Sequence, residues 1–320
     1  MFSTLQHQTL THSRRSEAQS VIVPKITPTT IKRAQQGVAY ARDTKTQETI
    51  QKALKSAEEV AEGGSENKMS AQVRRCFLRM VMHTLFRVKV EFPERVPTTP
   101  SVVVANHLNH IDPFLVLSQL PANLFYNVMG DARTMYHTWW KRQFLRFAKG
   151  VIPLERLWKE EVAVMEAAKA GREDLADLAA AIEEYVPSGN TIEAMRRLDR
   201  IVKAIFARGE GLMLFPEGKL GKVEGQLLPL KRGAILYALR SGVPIVPVAL
   251  IGTHNLFFRK ELIVRFGEPL YFPQSSRPKQ QEIQAATEKL QAAMQALLPT
   301  DYQEPKGMNW GRKFLNNVFC

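Results

Sequence analysis

The sequence predicts an α/β protein: a single mixed, largely parallel sheet flanked by helices, preceded by a basic amphipathic helix. Three observations predict it. Short β-branched or apolar runs alternate with longer segments of helical period over most of the 320 residues. No apolar run approaches the roughly 20 residues that a membrane-crossing helix needs; the best, Phe77–Phe86 and Val243–Ile251, reach about half of it. The first 70 or so residues are polar, which leaves the core to the remainder.

The elements follow in chain order. Residues 1–70 read as a polar, disordered extension that closes on Gly63-Gly64-Ser65, with room for one helix around Glu48–Ala61. Within it, Met1–Lys25 has no apolar h-region, so a secretory signal is not expected. Its Ser, Thr and Arg content, with Glu17 as the only acid before Asp43, fits a disordered arm or, in a plant or alga, an organelle transit peptide. The main domain is expected over 71–298, with a short tail over 299–320.

Ala71–Val90 has the pattern of a basic amphipathic helix. Arg75, Arg79, His83 and Arg87 recur every fourth residue, and Val73, Phe77, Met80, Val81 and Leu85 cover another side. Two readings stay open. The helix lies in a membrane interface, with Arg75, Phe77, Arg79 and Arg87 as docking residues, or it packs its apolar side on the domain.

Ser101–Ala105 is a buried strand that ends at Asn106-His107. After it, Phe114–Leu120 reads as helix, Leu124–Met129 as strand, His137–Ala148 as helix and Val151–Leu154 as strand. Lys159–Val186 and Thr191–Ala207 are long helical patterns, the second opened by Asn190 with Glu193 at capping-box spacing. Leu212–Phe215, Ile245–Leu250 and Leu262–Phe266 complete the strands, and Gln280–Leu298 is a last amphipathic helix.

Charge and cysteine content narrow the function. The formal net charge is +13, so polyanions such as anionic membranes, nucleic acid or acidic substrates are the natural partners. Nucleic acid is the weaker choice, since no recognition motif and no interleaving of aromatic with basic residues is present. Cys76 and Cys320 are the only cysteines, which rules out a disulfide framework and a Cys-based zinc site.

Chemistry concentrates in two segments. The first, Ala105 to Pro113, follows a buried strand and carries His107, His110 and Asp112. An imidazole can take the proton of an attacking alcohol if a carboxylate fixes its tautomer, and Asp112 is placed to do so only if the chain turns from loop into helix between the two. Asp before Pro is equally what an N-cap looks like, and no further Cys or His completes a metal set. The second segment, Leu212 to Lys219, is a strand followed by a Pro-Glu-Gly turn. Glu217 can bind a hydroxyl, Gly218 lets a ligand approach the backbone, and Lys219, Lys222, Lys231 and Arg232 are cations suited to phosphate.

Taken in order, Asn106-His107 with Asp112, Gly150 through Pro153 to Arg156, Phe215-Pro216-Glu217-Gly218, and Val243-Pro244-Ile245-Val246-Pro247-Val248 resemble the four blocks of the glycerolipid acyltransferase family. The resemblance spans roughly residues 72–298. It implies that His107 is the general base and Asp112 its orienting partner. By the same resemblance Arg156, Glu217, Gly218 and Lys219 hold the phosphate-bearing acceptor, and Val243, Pro244, Ile245, Val246 and Pro247 form the acyl or thioester environment. It also implies a thioester donor, acyl-CoA or acyl carrier protein, and a lysophospholipid acceptor such as 1-acylglycerol 3-phosphate. No metal and no cofactor are implied. The expected location is the cytoplasmic face of a membrane, or a plastid if the N-terminus is a transit peptide.

The chain departs from the family's pattern in three places. Lys219-Leu220 stands where Thr-Arg is common, Met129-Gly130-Asp131 replaces a Lys pair, and Lys159–Val186 reads as an inserted helical hairpin. Other acceptors, glycerol 3-phosphate among them, and a non-catalytic basic membrane-binding protein remain as alternative readings.

Overall fold

The computed structural model describes residues 26–64, 70–305 and 309–319. The arm or transit peptide expected over Met1–Lys25 lies outside them. The helices are α1 (Pro28–Arg42), α2 (Thr44–Ala61), α3 (Ala71–Leu85), α4 (Asp112–Gln119), α5 (Ala132–Tyr136), α6 (Trp139–Ala148), α7 (Lys159–Lys169), α8 (Ala176–Tyr185), α9 (Ile192–Ala207), α10 (Gly233–Ser241), α11 (Gln280–Leu297) and α12 (Arg312–Phe319). The strands are β1 (Arg87–Glu91), β2 (Val102–Ala105), β3 (Tyr126–Asp131), β4 (Val151–Leu154), β5 (Gly211–Leu214), β6 (Ile245–Ile251) and β7 (Glu261–Phe266).

These strands form one sheet in the order β1-β7-β6-β2-β5-β3-β4. Strands β2 to β6 run parallel; β7 is antiparallel to β6, and β1 is parallel to β7. The predicted mixed, largely parallel sheet is therefore present, and the carboxyl ends of β2 to β6 share one edge. The period of two along β2 divides the core. Val103 and Ala105 pack with Leu78, Met82 and Leu115 from α3 and α4, whereas Val102 and Val104 pack on the other face with Ile201, Ile235 and Leu290 from α9, α10 and α11. All four side chains of β2 are buried, as the continuous apolar run of a doubly covered parallel strand requires.

The N-terminal region differs most from expectation. From Pro28 to Ala61 the chain is two capped helices, not a disordered extension; the helix expected around Glu48–Ala61 is the greater part of α2. Thr27 caps α1 by accepting from the Thr30 amide, and Asp43 caps α2 by accepting from that of Thr46. Their small apolar residues find partners elsewhere: Ala34, Val38 and Ala41 pack with Val164, Ala167 and Ile182 of α7 and α8, and Ile50 and Leu54 pack with Tyr136 and Leu145. The expected insertion over Lys159–Val186 is thus the floor on which α1 sits.

Smaller corrections follow. The helix expected to Val90 stops at Leu85, and Arg87 belongs to β1, because Val88 and Val90 alternate against β7. Thr191, not Asn190, caps α9. Strand β1 and helices α10 and α12 were not foreseen. Among the described residues no helix is long and apolar enough to cross a membrane.

Candidate active site

Beyond β2 the backbone leaves the sheet at Asn106, whose side chain bonds both backbone groups of Leu250 on β6, at 2.9 Å and 2.7 Å. That clamp fixes the start of the loop. The chain then turns and enters α4 at Asp112, so the loop-to-helix change needed to bring His107 and Asp112 together occurs between them. Asp112 Oδ2 accepts from the Leu108 amide at 2.7 Å and the Asn109 amide at 2.8 Å, and lies 2.9 Å from His107 Nδ1. Its carboxylate reaches back to the loop instead of capping the helix ahead. Asp112 is fully buried, while the His107 side chain keeps 16% of its surface exposed. With Nδ1 facing a carboxylate held by two amides, Nε2 is the ring atom that takes a proton. The His107 ring stacks on Phe215, with centroids 4.0 Å apart.

Phe215 follows β5, which adjoins β2, and brings the second segment to the same edge. Glu217 is buried there. Its Oε1 accepts from the His107 amide and its Oε2 from the Leu228 amide, each at 3.0 Å. Burial pushes its carboxyl above the usual carboxylate range, and the two amides partly offset this. Both oxygens are thus engaged by backbone, and Glu217 holds the His107 loop and the Leu228 loop in place, a positioning role beside the acceptor contact expected from the sequence. The amides of His107, Leu108 and Asn109 are all spent on these two carboxylates, so they are not oxyanion donors.

Gly218 has φ 65°, and a Cβ on it would stand 2.8 Å from Lys231 Cε and Nζ. The Lys231 amide donates to Pro216 at 2.8 Å, and its side chain crosses Gly218. Burial, then the charges of Arg156 and Lys219, lowers the Lys231 ammonium. Arg156 after β4, Lys219 after β5 and Lys231 before α10 thus follow one another on the same edge of the sheet, near enough for the first two charges to act on the third. Arg156 is oriented by Asp131, whose Oδ2 accepts from Arg156 Nε at 3.0 Å and from Trp158 Nε1 at 2.8 Å. Burial raises the Asp131 carboxyl, but the Thr134 amide, Arg156 and Trp158 together hold it below its ordinary value. His110 lies edge-on to His107. Burial, then the charges of Lys141, His107, His137 and Arg33, pushes it down to about 3.

The fourth sequence block is not at this edge. Ile245 pairs with Val102 and Val248 with Ala105, so Val243 and Pro244 precede the amino end of β6, at the opposite edge from His107. Ile245, Val246 and Pro247 are buried in the sheet. Parallel register with β2 makes this block core, not an acyl environment. Among the described residues no group of three or more His, Cys, Asp or Glu is placed to hold a metal ion.

On the helix before β1, Phe77 packs against the core, and Arg79 donates to Gln119 Oε1 at 3.2 Å. Asp131 and Trp158, which orient Arg156, were missed by sequence reasoning, and Lys231 was left among nearby charges. For Asp131 a signal existed, since it stands in the place of the family's usual Lys pair.

The family model described as Acyltransferase matches residues 87–251. The chain belongs to the acyltransferase family. Curated relatives agree. The 1-acyl-sn-glycerol-3-phosphate acyltransferase of Cocos nucifera is 35% identical over 82 residues, 26% of each chain. The chloroplastic enzyme of the same name, BAT2, from Brassica napus is 24% identical over 177 residues, 55% of this chain and 40% of that one. The alpha form from Mus musculus is 25% identical over 191 residues, 58% and 52%. The chain thus matches about a quarter to a half of the length of these acyltransferases. Among solved structures it is similar to the 1-acyl-sn-glycerophosphate acyltransferase PlsC from Thermotoga maritima, at 19% identity and TM-score 0.44 over 71% of this chain and 78% of that one. Helices α1 and α2 precede the matched acyltransferase segment, and α1 places Arg33 on the Trp158 ring.

Proposed function

We propose that this chain is an O-acyltransferase that moves a fatty acyl group from a thioester carrier to a hydroxyl of a lysophospholipid, 1-acylglycerol 3-phosphate giving phosphatidic acid. The observation that carries the reading is the His107–Asp112 pair, 2.9 Å apart, with Arg156, Lys219 and Lys231 on the same strand edge. The first is a general base with its partner, and the second a seat for a phosphate. The names of the relatives supply the acceptor class.

In this reading His107 Nε2 takes the proton of the acceptor hydroxyl as its oxygen attacks the thioester carbon. Asp112 stabilises the imidazolium that forms. The tetrahedral oxyanion then collapses, the carbon–sulfur bond breaks, and the departing thiolate takes the proton back from His107. Acyl-CoA and acyl carrier protein are both chemically competent donors.

An interfacial position fits the surface. On α3, Val73 and Met80 are exposed beside Arg79; near the carboxyl end of β6, Phe258, Trp310 and Phe314 are exposed beside Arg259, Arg312 and Lys313. We therefore assign an anionic membrane surface as the partner, with Phe77, which packs against the core, removed from the docking set and Arg87 presented from β1 instead of the helix. Two relatives bear the word chloroplastic in their names, which favours the plastid reading of the N-terminal segment.

The test is thiol release from palmitoyl-CoA and from palmitoyl carrier protein, with lysophosphatidic acid, glycerol 3-phosphate or no acceptor. Release that depends on lysophosphatidic acid and falls about 10²-fold or more in His107→Ala is expected. Acceptor-dependent release that survives the substitution would refute the assigned base, and no release with any pair would favour a binding protein.

A further inference from the structure

We propose that helix α1, which lies outside the segment matched by the family, completes the anion site: Arg33 is a ligand for a phosphate dianion, and the docking of α1 helps to place Arg156. The inference rests on the phosphate-bearing substrate of the proposed function.

Two chains of contact support it. The Arg33 guanidinium stacks on the Trp158 ring at 4.3 Å, and Trp158 Nε1 shares Asp131 Oδ2 with Arg156 Nε. Arg33 and Arg156 therefore lie on one small frame. Arg133 joins the helix to the same frame: its Nη1 donates to the Gly37 carbonyl of α1 at 3.1 Å and its Nη2 to the Arg156 carbonyl at 2.9 Å. The buried Glu161 of α7 holds Arg133 in that geometry. Gly37 is required for the fit, since a Cβ there would stand 2.1 Å from Glu161 Oε1. Tyr40, one turn further along α1, stacks on His137 at 4.3 Å.

Arg33 has donors to offer an anion. Arg33 is exposed, and its hydrogen bond to Gln36 Oε1 leaves further donors on the guanidinium. Among the described residues no carboxylate pairs with it. The charge of Arg33 reaches His110, and those of Arg156 and Lys219 reach Lys231, around a frame whose carboxylate, Asp131, is already shared. Cations set round a frame with one shared carboxylate favour a dianion among them. The phosphate could belong to the acceptor or to the CoA moiety of the donor; the chemistry recognised is the same.

The experiment uses the full chain with Arg33→Gln, Arg33→Lys and, for comparison, Arg156→Gln. Acyl transfer is followed to lysophosphatidic acid and to monoacylglycerol, which lacks the phosphate, and from acyl-CoA or a phosphate-free acyl thioester of N-acetylcysteamine. Arg33→Gln is expected to raise KM for one phosphate-bearing substrate about tenfold or more, with kcat little changed and the phosphate-free counterpart unaffected. Arg33→Lys should restore part of the loss. A rise confined to lysophosphatidic acid places the acceptor at Arg33, and one confined to acyl-CoA places the donor there.

If Arg156→Gln raises KM and Arg33→Gln does not, the proposal falls while acyl transfer stands. If the wild type transfers nothing, the proposed function falls, and calorimetric titration with inorganic phosphate decides this proposal separately. Binding lost in Arg33→Gln supports it; equal or absent binding in the two proteins overturns it.

Discussion

The His107 amide donates to Glu217 Oε1 at 3.0 Å, so the loop that carries His107 is held by a carboxylate from the neighbouring strand end. Since the other Glu217 oxygen accepts from Leu228, one buried side chain ties the first and third sequence blocks to the loop that leads to Lys231. His107 and Lys231 are thereby set relative to each other by one buried side chain.

Glu217→Gln should therefore behave as a positioning variant. A Gln amide turns an NH2 toward one of the two backbone donors and leaves a buried amide unpaired, at a cost of about 1–3 kcal/mol. Chemical denaturation should show that loss, and kinetics should show kcat reduced with acceptor KM close to wild type. A large rise in KM with unchanged stability would favour the acceptor-binding role expected from the sequence.

Asp112→Asn keeps the volume but replaces the carboxylate that faces His107 Nδ1 and two amides. The imidazolium loses its stabilising charge and the tautomer is no longer fixed. Turnover should fall about 10²-fold or more while the circular dichroism spectrum stays native. Retained turnover would mean that His107 works without its partner.

Gly218→Ala forces a left-handed backbone, φ 65°, onto a residue with a Cβ and pushes that Cβ against Lys231. Stability should drop by about 1 kcal/mol, and the displaced ammonium should raise KM for a phosphate-bearing acceptor. An unchanged KM would exclude Lys231 from the anion site.

Acid should destabilise the protein through His110, whose folded pKa of about 3 lies below the ordinary 6.5. Between these values the unfolded chain binds a proton that the folded chain refuses. Stability is then lost as pH falls from about 6.5 toward 3, at up to about 1.4 kcal/mol per unit. Urea midpoints measured across that window should show a shallower slope in His110→Gln; an equal slope would assign the effect to other groups.

The exposed aromatic patch gives a prediction about membranes. The paired substitution Trp310→Ala and Phe314→Ala should weaken co-sedimentation with phosphatidylglycerol vesicles, leaving transfer to a short-chain soluble acceptor intact. Equal sedimentation would leave α3 as the docking element.

The sequence by itself determined the alternation that builds the sheet, the strand that ends at His107, and the order of blocks that marks the family. These are local signals: β-branched runs bounded by turns, and side-chain types at fixed spacing. It also stated the condition for the His107–Asp112 pair, a loop that becomes helix between them, although Asp-Pro had an equally good reading as a cap. What only the tertiary structure decided are relationships between distant segments. Residues Val243 to Pro247 look like a functional block but are core, because parallel register with β2 buries them and directs their amino end away from His107. Glu217 looks like a ligand but spends both oxygens on backbone from two other segments. Helix α1 looks like a polar arm because its apolar residues are small and few. They suffice once α7 and α8 complete the cluster, and only that docking carries Arg33, more than a hundred residues away in the chain, to Trp158 and the site.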